Sequence, residues 1–146
     1  MASIRRDPEA VLESLSALTR SLRAAAAKAY AAFEIGSTQA KFLRHLAHGS
    51  RLSQAELARA TASDPTLTGR VLETLIGRGW VRRERSDEDR RQYVLELTPA
   101  GKRAAKRVVD ARLGIARRMV AALDDRDITD FERVAHKLRA AFEKDA

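Results

Sequence analysis

Asp89-Arg90-Arg91-Gln92-Tyr93-Val94-Leu95-Glu96-Leu97-Thr98-Pro99-Ala100-Gly101 changes character twice within a few residues. It opens at the end of a charged, turn-prone tip, Ser86-Asp87-Glu88-Asp89. From Gln92 it alternates: Tyr93, Leu95 and Leu97 fall on one side and Gln92, Val94 and Glu96 on the other, which is the period of a strand. Thr98-Pro99 then supplies a cap residue followed by proline at the first helical position. Upstream of the tip, Trp80 to Arg85 is a second short strand-like run. The stretch from Trp80 to Leu97 therefore predicts a basic two-stranded ribbon, preceded by a helix ending at Gly79 and followed at once by another helix.

The residues before the ribbon supply the rest of the plan. Leu52-Ser53-Gln54-Ala55-Glu56-Leu57 is a capping box, in which Ser53 and Glu56 satisfy each other's end amides and Leu52 staples to Leu57. It predicts a short helix to about Ala60. After a turn at Thr61-Ala62-Ser63, Asp64-Pro65 opens a helix over Pro65 to Arg78 with a cap acid and an N1 proline. Its Leu67, Val71, Leu72 and Leu75 are expected to point inward, and Gly77 and Gly79 to end it. A short helix, a tight turn, a second helix and a ribbon make a winged helix-turn-helix.

Two long amphipathic helices flank this core. About Pro8 to Phe33 carries Val11, Leu12, Leu15, Leu18, Leu22, Ala25, Ala26, Ala29, Tyr30 and Phe33 at helical spacing. Ser37 or Thr38 is expected to cap a helix through Ala47, with Phe42, Leu43 and Leu46 on its apolar face. Beyond the ribbon, Pro99 to about Leu123 carries Val108, Val109, Leu113, Ile115, Met119 and Val120. Asp124-Asp125-Arg126-Asp127 caps a last helix bearing Ile128, Phe131, Val134, Leu138 and Phe142. The fold class expected is mainly α with a small β-wing: one domain over 1–146, a winged core over about 37–102, and further helices over about 8–35 and 103–144.

The seams of the end helices are too long for one small domain to cover, and soluble proteins avoid exposing such surface. A twofold partner would cover them, with Leu12, Leu15, Leu22, Ile115, Met119, Phe131, Val134 and Leu138 in the interface.

The chain has 28 Lys+Arg against 20 Asp+Glu over 146 residues, a net charge of +8 that points to a polyanionic partner. From Arg51 to Arg91 every cation is arginine, the fork-shaped donor that suits phosphates and guanine edges. The absence of cysteine excludes disulfides, thiolate metal sites and thiol redox sensing. No run approaches transmembrane length and the first residues have no apolar signal core, so the expectation is a soluble cytoplasmic protein. His45 and His48 lie three apart with His136 distant, short of the convergent ligands a metal needs. No cofactor is expected, and no nucleophile–base set or phosphate loop points to an enzyme.

The segment from Asp89 to Gly101 matches, position for position, the pattern D-x-R-x5-L-T-x-x-G of the wing in the MarR family of bacterial transcriptional regulators, which the chain resembles. The resemblance implies a homodimer that acts on a pseudo-palindromic DNA operator as a ligand-responsive repressor. It implies that Arg91 enters the minor groove while Asp89 holds the tip in shape by pairing with arginine. It also places Arg70 on the family's usual arginine of the recognition helix, whereas Gly69 stands where the family commonly has serine or threonine. An aromatic acid or lipophilic toxin would bind between the dimer helices and the winged core. Tyr30, Phe33, Phe42 and His45 are candidates to line that site, and core packing explains all four equally well.

On the residues themselves, Thr66, Thr68, Gly69, Arg70 and Glu73 make up the outward face of the recognition candidate. Threonines can contact phosphate or a thymine methyl, and Arg70 can make a bidentate contact to guanine. Arg90 and the Arg82-Arg83-Arg85 set suit phosphate neutralisation. Two other readings stay open: an architectural protein that coats or bends DNA with little sequence preference, and a small-molecule or protein-interaction module that no longer binds DNA.

Overall fold

Capping chemistry sets most of the helix ends in the computed structural model, which describes residues 7–49 and 51–144. The elements run α1 (Pro8–Ala31), α2 (Ser37–Ala47), α3 (Gln54–Ala60), α4 (Pro65–Gly77), β1 (Val81–Arg85), β2 (Tyr93–Leu97), α5 (Pro99–Ala121) and α6 (Asp125–Glu143). Asp7, Ser53, Asp64 and Asp124 each cap the helix that follows through a side-chain oxygen. The capping box forms as the sequence predicts, Glu56 N–H donating to Ser53 Oγ at 3.1 Å and Ser53 N–H to Glu56 Oε2 at 2.7 Å. The cap of α2 is Gly36 rather than Ser37 or Thr38, and the Gln39 side chain accepts the Gly36 N–H at 3.4 Å. α1 stops at Ala31, short of Phe33, because Glu34 turns to a positive φ of 57° and Ile35 N–H returns to the Tyr30 carbonyl.

The chain divides within α5 into two units, Met1–Ala111 and Arg112–Ala146. The first holds the core: Tyr30, Ile35, Ala40, Phe42, Leu43, Leu46, Leu57, Leu72, Leu75, Val81, Leu95, Leu97, Ala104, Ala105 and Val108 form one buried cluster. Each fully buried Leu or Phe in it contributes roughly 1.5–3 kcal/mol of transfer free energy. β1 and β2 pair antiparallel in the register Val81↔Leu97, Arg83↔Leu95 and Arg85↔Tyr93. Leu52 adds a short bridge to Leu95. Directly opposed side chains share a sheet face, so Val81, Leu95 and Leu97 carry the ribbon's inner face into the core. Tyr93 lies on that face too, but beyond the core, where it is exposed with the Arg85 guanidinium 5.1 Å from its ring centroid.

The joint between ribbon and α5 explains the L-T-x-x-G half of the sequence pattern. Thr98 N–H donates to the Trp80 carbonyl, Thr98 Oγ1 donates to the Gly79 carbonyl, and Gly101 N–H donates to Thr98 Oγ1 at 3.0 Å. A Cβ on Gly101 would lie 1.9 Å from the Trp80 carbonyl oxygen, closer than any side-chain carbon can stand. Gly79 is also constrained: it takes φ +72° at the end of α4, where Trp80 N–H caps the Leu75 carbonyl.

In the second unit, no residue of α6 is buried, and Phe131, Val134, Leu138 and Phe142 stand exposed. Met119 is exposed and Ile115 half-buried in the α5 portion of that unit. In the first unit Leu12, Leu15 and Leu22 are exposed along α1. No helix among the described residues is long and apolar enough to cross a membrane.

Candidate nucleic-acid interface

α3 and α4 are joined by a turn whose geometry is held from inside. Thr61 is buried, its hydroxyl donating to the Leu57 carbonyl at 2.7 Å, and Lys41 Nζ donates to the Thr61 carbonyl at 3.1 Å. Ala62 takes a positive φ of 48°, and Ser63 N–H caps the Ala58 carbonyl. α4 then leaves at a fixed angle with Thr66, Leu67, Arg70, Glu73 and Thr74 on its exposed side.

Two positions of that face differ from the sequence expectation. Thr68 is fully buried, with Oγ1 donating to the Asp64 carbonyl at 2.9 Å, so it secures the first turn of α4 and is not available to a ligand. Leu67, expected to point inward, is instead 45% exposed. The helical rotation that turns Thr68, Leu72 and Leu75 to the core carries Leu67 outward. Gly69 is half-buried and faces α3: a Cβ there would come within 3.3 Å of Gln54 Nε2. The neighbour is the mobile end of a side chain, so the glycine leaves room there without being required by backbone packing.

The ribbon's arginines fall into two classes. Arg82 bonds Glu84 and its cross-strand partner Glu96. Arg51, in the α2–α3 loop beside the Leu52 bridge to β2, forks between Asp87 at 3.0 Å and Glu84 at 3.3 Å. Arg83, on the inner face by register, reaches Glu73 of α4 at 2.7 Å. Arg85 donates to the Arg90 carbonyl at 2.6 Å and lies over Tyr93. Arg78 lies 3.7 Å from the Trp80 ring centroid and donates to the Glu34 carbonyl and Gln39, fastening the end of α4 to the α1–α2 loop. By contrast, the exposed guanidinium groups of Arg70, Arg90 and Arg91 have no hydrogen-bond or ion-pair partner among the described residues.

Asp89 shapes the tip differently from the expectation that it pairs with an arginine side chain. Its carboxylate accepts the Arg91 backbone N–H at 3.0 Å, and its carbonyl accepts Gln92 N–H. The tip is thus held by backbone capping, which leaves the Arg91 guanidinium unengaged. The ion pairs perturb two nearby groups. The hydrogen bond from Arg82 holds the Glu96 carboxyl below its ordinary range, and the Asp87 hydrogen bond raises Arg51 above its usual value. At the start of α3, the Ser53 backbone N–H lowers Glu56.

The four aromatic and histidine candidates for a ligand site do not come together as one. Tyr30 and Phe42 are buried in the core cluster, where packing leaves no approach for a ligand. Phe33 is exposed beneath Arg107, 5.5 Å from its ring centroid, and His45 Nδ1 donates to the Lys41 carbonyl at 3.0 Å. An open cleft of about 490 Å³ lies elsewhere, lined by residues that include Leu46, Arg51, Glu96, Lys102, Lys106 and Val109. No sequence signal points to this cleft, because it depends on the docking of α2 and β2 against α5.

Chemically, the α4 face and ribbon tip offer planar, unpaired donors beside small hydroxyl and apolar groups on rigidly capped elements, a set suited to phosphate and base edges. The sequence profile of the MarR family matches residues 34–92, from the start of α2 through the ribbon tip. The transcriptional repressor MprA of Escherichia coli (strain K12) is 30% identical over 87 residues, which cover 60% of this chain and 49% of that protein. The chain thus spans about half the length of this curated relative. A solved MarR transcriptional regulator from Methanosarcina mazei Go1 is 26% identical, with a TM-score of 0.74 over 93% of this chain and 96% of that one. Wild-type MarR from E. coli in its apo form shares the fold at 17% identity, with a TM-score of 0.75 over 86% of this chain and 94% of that one. The profile falls on the helix-turn-helix and ribbon whose geometry is given above, solved regulators share the fold along nearly the whole chain, and in both respects the protein is similar to members of the MarR family.

Proposed function

We propose that the protein is a sequence-specific, DNA-binding transcriptional regulator that acts as a homodimeric repressor on a pseudo-palindromic operator. The observation that carries this reading is the separation of the arginines. Arg70 on α4 and Arg90 and Arg91 at the ribbon tip are exposed and unpaired among the described residues, while their neighbours are spent on ion pairs that stiffen the ribbon. α4 serves as the recognition helix, with Arg70 directed to guanine and Thr66 to the backbone. Arg91 enters an adjacent minor groove, where a narrow A·T tract concentrates negative potential. Arg83 and Arg90 neutralise phosphates, Arg83 after sharing or leaving Glu73.

The dimer is supported by apolar stripes that stand exposed among the described residues of a single chain. Leu12, Leu15 and Leu22 lie on α1, and Met119, Phe131, Val134 and Leu138 on α5 and α6, all of them exposed. Two copies would set their recognition helices about one helical turn of DNA apart, roughly 10 base pairs. Responsiveness to a small acidic effector rests on the family resemblance and on the cation-bearing cleft beside α5. Footprinting on the intergenic DNA next to the protein's own gene, together with sedimentation, tests the reading. The expected result is a dimer at micromolar concentration and a protected pseudo-palindrome. A stable folded monomer, or protection without sequence boundaries, contradicts it.

A further inference from the structure

We propose that Leu67 is a specificity-determining residue whose side chain reads the C5-methyl group of a thymine in the base pair next to the guanine met by Arg70. The inference rests on the DNA-binding function proposed above and deepens it by naming a base and the group that recognises it.

Between Ile35 and Val108, Leu67 and Tyr93 are the large apolar side chains that stand exposed among the described residues. Tyr93 carries the Arg85 guanidinium over its ring. Leu67 has no such cover, and it contributes nothing to the core, which Thr68, Leu72 and Leu75 occupy from the opposite side of α4. The first two turns of α4 have few other side chains to offer outward. Thr68 is buried on the Asp64 carbonyl and Gly69 lies against Gln54. Leu67, Arg70 and Thr74 follow at spacings of three and four, which lines them up on one face. Thr74 Oγ1 donates to the Arg70 carbonyl, so within this row Leu67 and Arg70 are the ones free to reach outward.

The chemistry of the major groove makes the assignment specific. Thymine alone among the four bases presents a methyl group there, and apolar side chains are its partners. An isobutyl group in contact with that methyl removes apolar surface from water on both sides, whereas against cytosine or a purine edge it would desolvate polar groups without pairing them. The spacing selects the neighbour of the guanine: three residues advance about 4.5 Å along a helix, close to one base step of about 3.4 Å.

The full-length chain is used to select duplexes from a randomised library. In the best-enriched duplex each thymine is then replaced in turn by deoxyuridine, which keeps the base pair and loses only the methyl. Wild-type protein should bind about fourfold more weakly when one particular thymine is replaced, the factor that roughly 0.8 kcal/mol for one buried CH2-sized group converts to. That thymine should neighbour a guanine whose replacement by 7-deazaguanine weakens wild type but not Arg70→Ala. Leu67→Ala should bind the thymine and uracil duplexes equally. The substitution lies on an exposed site, so its melting curve should match wild type. The wild-type uracil scan needs no variant at all, and a flat scan overturns the proposal. So does a sensitive thymine whose effect survives in Leu67→Ala. Failure to enrich any sequence instead overturns the DNA-binding reading itself, and is told apart because it appears before any uracil is introduced.

Discussion

Arg82, Arg83 and Arg51 around the ribbon's stem differ from Arg70, Arg90 and Arg91 only in their neighbours. Around the stem, carboxylates stand within salt-bridge reach of these three guanidinium groups: Glu84, Glu96, Glu73 and Asp87. Arg70, Arg90 and Arg91 have none within that reach among the described residues. Net charge therefore overstates the cationic surface available to a partner. The stem arginines are partly neutralised in place, and their pairs, being exposed, align the strands more than they stabilise the fold. The unpaired groups keep their full donor capacity at a low cost in reorganisation, which is what a recognition surface requires.

The largest effect should come from breaking the joint that sets both regions in place. Gly101→Ala puts a methyl group into the Trp80 carbonyl. Relief requires backbone movement, so a loss on the order of 1–3 kcal/mol or more is expected in chemical denaturation. Next in size is Arg91→Ala, which removes an unpaired tip guanidinium. Operator affinity should fall by about 1–3 kcal/mol, by analogy with other good base contacts. Stability should change by less than about 0.5 kcal/mol, as calorimetry would read it. Equal losses for Arg91→Ala and Arg82→Ala would erase the distinction between tip and stem.

Arg83→Ala should act more weakly and more evenly. Binding should weaken alike on cognate and scrambled duplexes, and the slope of log K against log salt should shrink by about 0.9 if one phosphate contact is lost. Because Glu73 competes for Arg83, Glu73→Gln should strengthen non-specific binding in the same titration. The smallest effect concerns acid stability. The folded Glu96 carboxyl lies below its ordinary value because Arg82 bonds it. A depressed carboxyl contributes stability that is present above its unfolded value, near pH 4.3. That contribution is lost as pH falls through the lowered folded value. Glu96→Gln should therefore flatten the acid limb of a thermal-melt series, melting slightly below wild type at neutral pH and converging with it in acid.

Much of this architecture is legible in the sequence because it depends on local chemistry. The Ser53–Glu56 box, Asp64-Pro65, Thr98-Pro99 and the alternation from Gln92 to Leu97 each act within a few residues, and the structure forms all four near the expected positions. What escaped depends on rotation and on distant partners. Thr68 and Leu67 exchange their expected sides because Thr68 falls in the i, i+4, i+7 row with Leu72 and Leu75, a spacing that outweighs residue polarity. The fate of Arg83 and Arg51 is decided by Glu73 and Asp87 across elements, and that of Asp89 by the backbone of its own turn. Tyr30 and Phe42 read equally well as core or lining, and burial decides for core.

In the proposed mode of binding Arg70 reads sequence, while the tethered arginines only contact phosphates. The direct measurement is the ratio of Kd on random duplex to Kd on a selected operator, taken at one fixed salt concentration for wild type, Arg70→Ala and Arg83→Ala. Specific regulators typically show a ratio of about 10³ or more. That range is expected for wild type, with a fall of about tenfold or more in Arg70→Ala, within the roughly 1–3 kcal/mol of a bidentate base contact, and no change in Arg83→Ala. An Arg70→Ala ratio equal to wild type, with affinity lost equally on both duplexes, would contradict it.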